Sequence, residues 1–315
     1  MLGNNEQLLQ RLIDCLDPGE QTAENAARLE GQAAAIIQTH PKLLAMHSKE
    51  DENVTPLIAS VMSSKYCCTP DLFAKLLNKP TQVDAVKDYN ISAIHFIARY
   101  NRFEHLQLLL KLKPDVDAQN DDGDTPLIFA ALTGATQTLT LLAVLGKAKV
   151  NLVNHKKQSP LHIACSFGQR QGGKDQRPTP ITEKETRNYL ECIETLLISG
   201  ANVNARDEND ATPVHYLVSA DIPDEIKLQA LTSLLEYGAD LTLRANNNFS
   251  AADMVKAYQY DHFSDQLKKH IVPSLKVLSA KKLLDVEEHN NEPVSLFEDL
   301  ANLLSKIRLG RGKKD

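Results

Sequence analysis

The stretch GDTPLIFAALTG, residues 123–134, shows the local pattern on which most of the chain is built. Thr125 stands directly before Pro126, and all of the next six residues are apolar. A threonine hydroxyl can accept a hydrogen bond from a free amide in the first turn of a helix. Proline at the next position loses no bond, because its amide would be unpaired anyway. The stretch therefore predicts an apolar helix that begins at Pro126.

The same pattern recurs along the chain, which indicates an internal repeat. Each copy places a serine or threonine before a proline or alanine that opens an apolar helical segment. A leucine-rich helical segment follows each of the first five copies, and a turn then leads to a short extended element. The unit is therefore predicted to be helix, turn, helix and extended hairpin. The six helix starts are marked by Thr55, Ser92, Thr125, Ser159, Thr212 and Ser250.

SPLHIACSFG (159–168), LLISGANVNARD (196–207) and the opening stretch together resemble the ankyrin repeat family. The resemblance covers about residues 50 to 260, and the second, third and fourth helix starts are spaced by 33 and 34 residues. It implies an all-α repeat solenoid of about five to six ankyrin repeats with β-hairpin loops, flanked by N- and C-terminal helical caps.

The family's hairpin glycine survives only at Gly123. Asn and Asp tolerate the required positive φ at most of the other copies, whereas Lys157 suits it least.

The domain organisation follows from this repeat. We expect an N-terminal helical capping region at 1–48, ankyrin repeats over 49–262, a C-terminal helical cap at 263–289, and an amphipathic helix with a basic tail at 290–315. Capping helices are expected because a solenoid exposes an apolar face at each end. The repeats are predicted at about 49–87, 88–120, 121–154, 155–207, 208–245 and, in divergent form, 246–262.

The fourth repeat contains a long insert, residues 169–187, at the turn between its two helices. Lengthening a surface turn costs little entropy, whereas an insertion within a stacked helix would disrupt two interfaces. The insert is rich in Gly, Pro, Gln and charged residues, so it is not expected to build a core. Either it is a tolerated disordered loop, or it is an arm that contacts a partner or carries a modification.

Composition limits the class of protein. A net charge of −6 and an isoelectric point near 5.9 argue against general nucleic-acid binding. The sequence lacks an apolar run of about 18 to 20 residues and the order of a signal peptide, so we expect a cytoplasmic protein. Five cysteines at irregular spacing fit reduced thiols. Membrane contact is expected only through the C-terminal basic tail, which could equally serve partner-helix docking or translocation.

No motif predicts catalysis. His95, His162 and His215 occupy the fourth position of the T-P-L-H pattern, where the family uses histidine for local hydrogen bonds. Cys165 aligns with small apolar residues in other repeats and is expected to be a buried hydrophobe. The pair Cys67–Cys68 has no CxxC or His-x3-His partner nearby, so the sequence indicates zinc only weakly. We therefore expect no enzyme activity, no cofactor and no metal.

The leading hypothesis is a monomeric, non-enzymatic scaffold that binds another protein through the concave face and hairpin tips. A secreted effector of an intracellular bacterium, acting in the host cytosol, is a more specific form of it. The alternatives are an adaptor or enzyme that uses the insert or the termini, and membrane association through the tail. The resemblance carries binding positions over to Tyr89, Arg99, Tyr100, Asp121, Asp122, Asp124, Leu132, His155, Lys156, Phe167, Glu208 and Asn209.

Overall fold

The computed structural model describes residues 2–17, 23–48, 54–64, 67–77, 83–168 and 181–257, and the regular secondary structure of this part is almost entirely helical. Its helices are α1 (Leu2–Leu16), α2 (Ala23–Thr39), α3 (Pro56–Met62), α4 (Pro70–Leu76), α5 (Ala93–Arg99), α6 (Phe103–Leu110), α7 (Pro126–Thr133), α8 (Thr136–Val144), α9 (Pro160–Cys165), α10 (Glu183–Ile198), α11 (Pro213–Ser219), α12 (Asp224–Glu236) and α13 (Ala251–Ala257). Two 3₁₀ helices lie at Pro41–Ala45 and Asp88–Asn90. Within the described ranges, no helix combines the length and apolarity needed to cross a bilayer.

The chain divides into two compact units, Met1–His155 and Lys156–Asp315. In the first unit α3 packs on α5 and α5 on α7, while α4 packs on α6 and α6 on α8. The N-terminal helices extend the same order, because α1 packs on α3 and α2 on α4. In the second unit α9 packs on α11 and α11 on α13, and α10 packs on α12. Each unit is thus a stack of helix pairs, as an all-α repeat solenoid requires.

All six predicted helix starts are confirmed. Each marked serine or threonine lies immediately before the first residue of a helix, α3, α5, α7, α9, α11 or α13. Thr125 Oγ1, for example, accepts a hydrogen bond from Ile128 N at 3.2 Å. The last start uses a carboxylate as well, because Ser250 Oγ accepts from Asp253 N at 3.1 Å and donates to Asp253 Oδ2 at 2.8 Å.

The T-P-L-H histidines make the local hydrogen bonds that the sequence predicts, and they also join one repeat to the next. His95 is fully buried, and its Nδ1 accepts a hydrogen bond from Ser92 N at 3.2 Å. Its Nε2 therefore carries the proton and donates to Ala118 O at 3.1 Å and Asp124 O at 3.3 Å. The equivalent bonds in the second unit run from His162 Nε2 to Ala211 O at 3.1 Å and from His215 Nε2 to Phe249 O at 3.2 Å.

These histidines should make the fold sensitive to acid. Burial lowers the pKa of His95 from 6.5 to about 4, and it also lowers the pKa values of His162 and His215. Below about pH 6.5 these histidines are protonated in the unfolded chain but still neutral in the folded chain. The unfolded chain therefore binds more protons, so the stabilisation is complete above about pH 6.5 and is lost as the pH falls. His95 alone should cost about 2 kcal/mol between pH 7 and pH 5.

Urea unfolding followed by circular dichroism at pH 7, 6 and 5 measures this loss. His95→Gln should flatten the pH dependence, whereas His40→Gln, at an exposed position, should leave it unchanged. An unfolding midpoint that does not move between pH 7 and pH 5 contradicts the prediction.

The hairpin turns have the left-handed backbone that the sequence predicts. Gly123 has φ +77°, and the residues that replace glycine elsewhere have φ between +55° and +65°. Lys157, the residue least suited to this conformation, adopts it too with φ +56°. Regular strands close one hairpin, where β1 (Val86–Lys87) pairs antiparallel with β2 (Ile91–Ser92). The remaining copy, Asn53, lies outside the described residues.

The C-terminal part of the predicted insert 169–187 is helical, so the insert ends before residue 187. Helix α10 begins at Glu183, and Thr182 Oγ1 caps it by accepting from Glu185 N at 3.2 Å. Residues 183–187 therefore belong to the second helix of the repeat, and Thr186 among them is buried. Residues 169–180, the C-terminal cap at 263–289 and the tail at 290–315 lie outside the described residues.

Candidate protein-binding surface

The hairpin tips are joined to one another by a repeated backbone hydrogen bond. In the first unit Asp121 N donates to Tyr89 O at 3.0 Å, and His155 N donates to Asp122 O at 3.0 Å. In the second unit the same bond joins Glu208 N to Lys156 O at 3.0 Å, and Asn246 N to Asn209 O at 2.8 Å. The tips of each unit therefore form a continuous rigid row rather than independent loops.

A polar side chain inside each tip fixes its shape. Asn120 is buried, and its Oδ1 accepts from Asp122 N at 3.0 Å and from Asp124 N at 2.7 Å. Asp207 does the same in the second unit, where its Oδ1 accepts from Asn209 N and Ala211 N, both at 2.8 Å. The sequence prediction missed these residues. In the sequence they can be found as an Asn or Asp that stands three positions before the hairpin residue with positive φ.

A second set of bonds orients the tip side chains. Asn154 Nδ2 donates to Asp124 Oδ1 at 2.9 Å, so this carboxylate is held within the first unit. In the second unit Tyr216 Oη donates to Asp207 Oδ2 at 2.7 Å and accepts from Gln158 Nε2 at 2.7 Å. Burial, followed by the hydrogen bond to Asp207, raises the pKa of Tyr216 to about 12. Tyr216 therefore remains a neutral hydrogen-bond donor at physiological pH.

The tips of the first unit present an exposed aromatic ring beside acidic groups. Tyr89 is 70% exposed, and its backbone is left-handed with φ +62°. Asp121 and Asp122 are exposed on the next tip, and Asn90 Nδ2 donates to Asp121 Oδ1. His155 is exposed on the tip after that. The structure therefore brings these predicted residues onto one row.

The first helices of this unit add guanidinium and aromatic groups. The Cζ atom of Arg99 lies 5.9 Å from the ring centroids of both Tyr100 and Phe129, and the Cζ atom of Arg102 lies 5.5 Å from that of Tyr100. Burial lowers the pKa of Arg102 to about 10, so its side chain stays protonated at neutral pH. Cation–π attraction at these distances holds Tyr100 in place while Arg99 stays exposed. Leu132 is half-buried on the next first helix.

Phe167 does not belong to the surface, so its prediction as an exposed anchor is wrong. Its side chain is only 5% exposed, and its ring centroid lies 5.5 Å from that of Tyr189. Helix α9 ends at Cys165, and the backbone turns left-handed at Phe167 with φ +50°. The ring consequently packs against the first turns of α10 instead of continuing the exposed face of α9. In the second unit the exposed predicted residues are Lys156, Glu208 and Asn209.

The cysteines differ in what they can do chemically. Cys165 is fully buried, and burial raises the pKa of its thiol, so it packs as a small hydrophobe as predicted. Burial raises the pKa of Cys192 in the same way. The pair Cys67–Cys68 has the partner that sequence spacing did not reveal, because Cys67 Sγ lies 3.2 Å from His105 Nε2. The sequence indicates zinc only weakly at this pair because it has no metal-binding motif nearby, and the histidine that the fold brings to it lies 38 positions along the chain.

Comparison with protein families identifies the repeat. A family model of ankyrin repeats in three copies matches residues 61–154 and 94–174, and the model of the single ankyrin repeat matches residues 179–208. These ranges contain the tips of the first unit from Tyr89 to His155 and its first helices α5 and α7.

Curated proteins with similar sequences are ankyrin repeat proteins or larger multidomain proteins. An ankyrin repeat protein of Acanthamoeba polyphaga mimivirus, L271, is 22% identical over 54% of this chain and 23% of its own length. Human SH3 and multiple ankyrin repeat domains protein 2 is 31% identical over 48% of this chain and 8% of its length. The E3 ubiquitin-protein ligase KEG of Arabidopsis thaliana is 25% identical over 50% of this chain and 8% of its length. The chain thus spans a minor part of each relative, and over residues 61–174 and 179–208 it belongs to the ankyrin repeat family.

Proposed function

We propose that the chain is a non-enzymatic scaffold that binds a partner protein through its hairpin tips and first helices. Ankyrin repeats generally act as protein-binding modules, and stacked repeats offer an extended surface rather than a deep pocket. The observation that carries the proposal is the row of rigidly linked tips in the first unit. It exposes Tyr89, Asp121 and Asp122 close in sequence to the Arg99–Tyr100 cluster.

These residue types suit a binding surface. Tyrosine and arginine are frequent interface hot spots, because each offers a large contact area with a polar end. Arg99 and Tyr100 are held by cation–π contacts, and Tyr89 lies on a tip whose backbone is bonded to the next tip. Little side-chain and loop entropy is then lost when a partner docks, which favours affinity. We refer to Tyr89, Arg99 and Tyr100 as the anchor cluster.

A comparison of two variants tests the proposal. The first, Tyr89→Ala with Arg99→Ala, removes the two exposed members of the anchor cluster. The second, Val144→Ala with Leu145→Ala, removes two exposed apolar side chains at the end of α8, a second helix, where Val144 is 58% and Leu145 is 68% exposed. Partners identified by quantitative affinity purification with the full chain would then be purified and titrated against all three proteins.

The anchor variant should bind a direct partner at least about 30-fold more weakly, which is the loss expected of one hot-spot residue. The α8 variant should bind like the wild type. Unchanged affinity of the anchor variant for every partner contradicts the proposal, and the reverse pattern would place the contact on the second helices. Far-ultraviolet circular dichroism confirms that both variants are folded.

The enzymatic alternative has little to support it. One relative is named as a ubiquitin ligase, but the matched part covers 8% of that protein. Cys165, the cysteine nearest to a T-P-L-H histidine in sequence, is fully buried. We therefore retain the scaffold as the proposed function.

The finer points of the proposal rest on the sequence. We propose that the protein acts as a monomer in the cytosol. A more specific hypothesis is that it is a secreted bacterial effector that acts in the host cytosol. The Asn-rich composition, the divergent repeats and the glutamate-bearing tail motivate the effector hypothesis. If it is correct, a chain lacking residues 286–315 should lose translocation in a reporter infection assay while keeping its thermal stability. Full translocation of the shortened chain would exclude a signal in that segment.

A further inference from the structure

Three ligands of the kind that bind zinc converge between the first two repeats of the first unit. Cys67 Sγ, Cys68 Sγ and one ring nitrogen of His105 all lie within 4.8 Å of one another. Cys67 Sγ is 3.2 Å from His105 Nε2. Zinc bonds to sulfur and nitrogen are about 2.3 and 2.1 Å long, so ligand atoms of a tetrahedral site lie about 3.6 to 3.8 Å apart. Small side-chain rotations would therefore bring the three atoms to that spacing.

The histidine is held in position by its surroundings. His105 lies in α6 and is only 6% exposed, and its ring centroid is 4.8 Å from that of the buried Phe73 in α4. Its Nε2 donates to Cys68 O at 2.8 Å. The same nitrogen atom therefore faces both cysteines.

The cysteine segment is held from the other side. Cys68 N donates to Ser60 O at 3.3 Å. The next residue, Thr69, donates from its amide to Glu30 Oε1 at 2.8 Å and from its hydroxyl to Glu30 Oε2 at 3.1 Å. Thr69 also caps α4. The backbone at Cys68 and Thr69 is thus fixed, and this positions the cysteine pair beside His105.

We propose that Cys67, Cys68 and His105 bind a zinc ion. Two thiolates and one neutral imidazole would neutralise its charge, which suits a site where Cys68 is 4% exposed. The two thiol protons would leave to solvent, and the His105 proton would move from Nε2 to Nδ1 by exchange with solvent. Nε2 would then replace its hydrogen bond to Cys68 O with a bond to zinc. Three protein ligands leave a fourth position for water, which can enter because Cys67 is only half-buried.

Zinc bound there would join the turn before α4 to α6. Those elements belong to successive repeats, so the ion would act as a clip between them. Any ligand that binds only the folded state raises its stability in proportion to the logarithm of the ligand concentration over Kd. Zinc should therefore raise the thermal unfolding midpoint of the wild-type chain, and the rise should grow with zinc concentration.

Cobalt titration of the metal-free, fully reduced full-length chain tests the site. Co²⁺ bound to thiolates absorbs visible light and is displaced by Zn²⁺, so both affinities can be measured. The wild type should bind one equivalent, with sulfur-to-cobalt charge-transfer bands and a zinc-dependent rise in the unfolding midpoint. Cys67→Ser and His105→Gln should each bind zinc at least about 100-fold more weakly, because even residues that only orient a ligand contribute 10- to 100-fold.

Cys15→Ser is the matched control, because it removes a buried thiol of the same unit and leaves all three ligands intact. It should bind cobalt and zinc like the wild type. His105→Gln keeps a donor toward Cys68 O, and Cys67 is partly exposed, so at least one of the two site variants should fold. The proposal is overturned if reduced wild type shows no thiolate–cobalt bands, or if folded Cys67→Ser binds zinc as tightly as the wild type.

Discussion

Leu196→Ala should lower the free energy of unfolding of the chain by about 2 to 5 kcal/mol. Leu196 lies near the end of α10 and is fully buried, and α10 packs on both α9 and α12. Removing the isopropyl end of its side chain loses buried apolar surface and leaves a cavity that the stacked helices can only partly fill. Because stacked repeats depend on contact with their neighbours, the loss should extend beyond α10.

Ile198→Ala is the matched control for that experiment. It removes a side chain of similar size two residues later in the same helix, but Ile198 is 74% exposed. Its effect should stay within about 0.5 kcal/mol. Guanidinium unfolding followed by circular dichroism measures both variants. Equal losses of unfolding free energy for Leu196→Ala and Ile198→Ala would mean that the buried and exposed faces of α10 are assigned incorrectly.

Gly123→Ala should cost about 3 kcal/mol or more, because two effects add. Alanine is strained at φ +77° by about 1 to 2 kcal/mol. Its Cβ would also lie 2.7 Å from His155 Cδ2 and 2.8 Å from His155 N. The second contact is with backbone that is itself hydrogen-bonded to Asp122 O, so it cannot move without breaking the row of tips.

Gly200→Ala separates the two effects. Gly200 has φ +87°, but no atom outside its immediate neighbours lies within 4 Å of a Cβ placed there. Gly200→Ala should therefore be destabilised by backbone strain alone, which costs about 1 to 2 kcal/mol. The same denaturant titration compares the two variants. Similar losses at both glycines would contradict the close packing of successive tips.

The helix starts and the histidine bonds could be predicted because their chemistry is local. A hydroxyl before Pro126 can cap only the helix that follows it, and His95 lies three residues after the serine that it contacts. The start of α10 was equally local, since Thr182 and Glu185 form a capping box. It was missed because the polar composition of the insert obscured that signal.

Other features depend on contacts between residues far apart in sequence. His105 follows Cys67 by 38 positions, and only the stacking of two repeats brings their side chains together. Phe167 aligns with the half-buried Tyr100 and the exposed Thr133, but the unusual length of α10 places Tyr189 where it can cover the ring. A repeat pattern therefore predicts the framework, whereas an insertion changes its surroundings in ways that the pattern does not contain.

Hydrogen–deuterium exchange of the full chain, free and bound to a purified partner, tests the central claim most directly. Partner binding through the tips and first helices should slow exchange in peptides that cover residues 88–102 and 121–133. Peptides from α6 and α8, the second helices of the same repeats, should exchange at unchanged rates. Protection confined to α6 and α8, with the tips unaffected, would contradict the proposed binding surface.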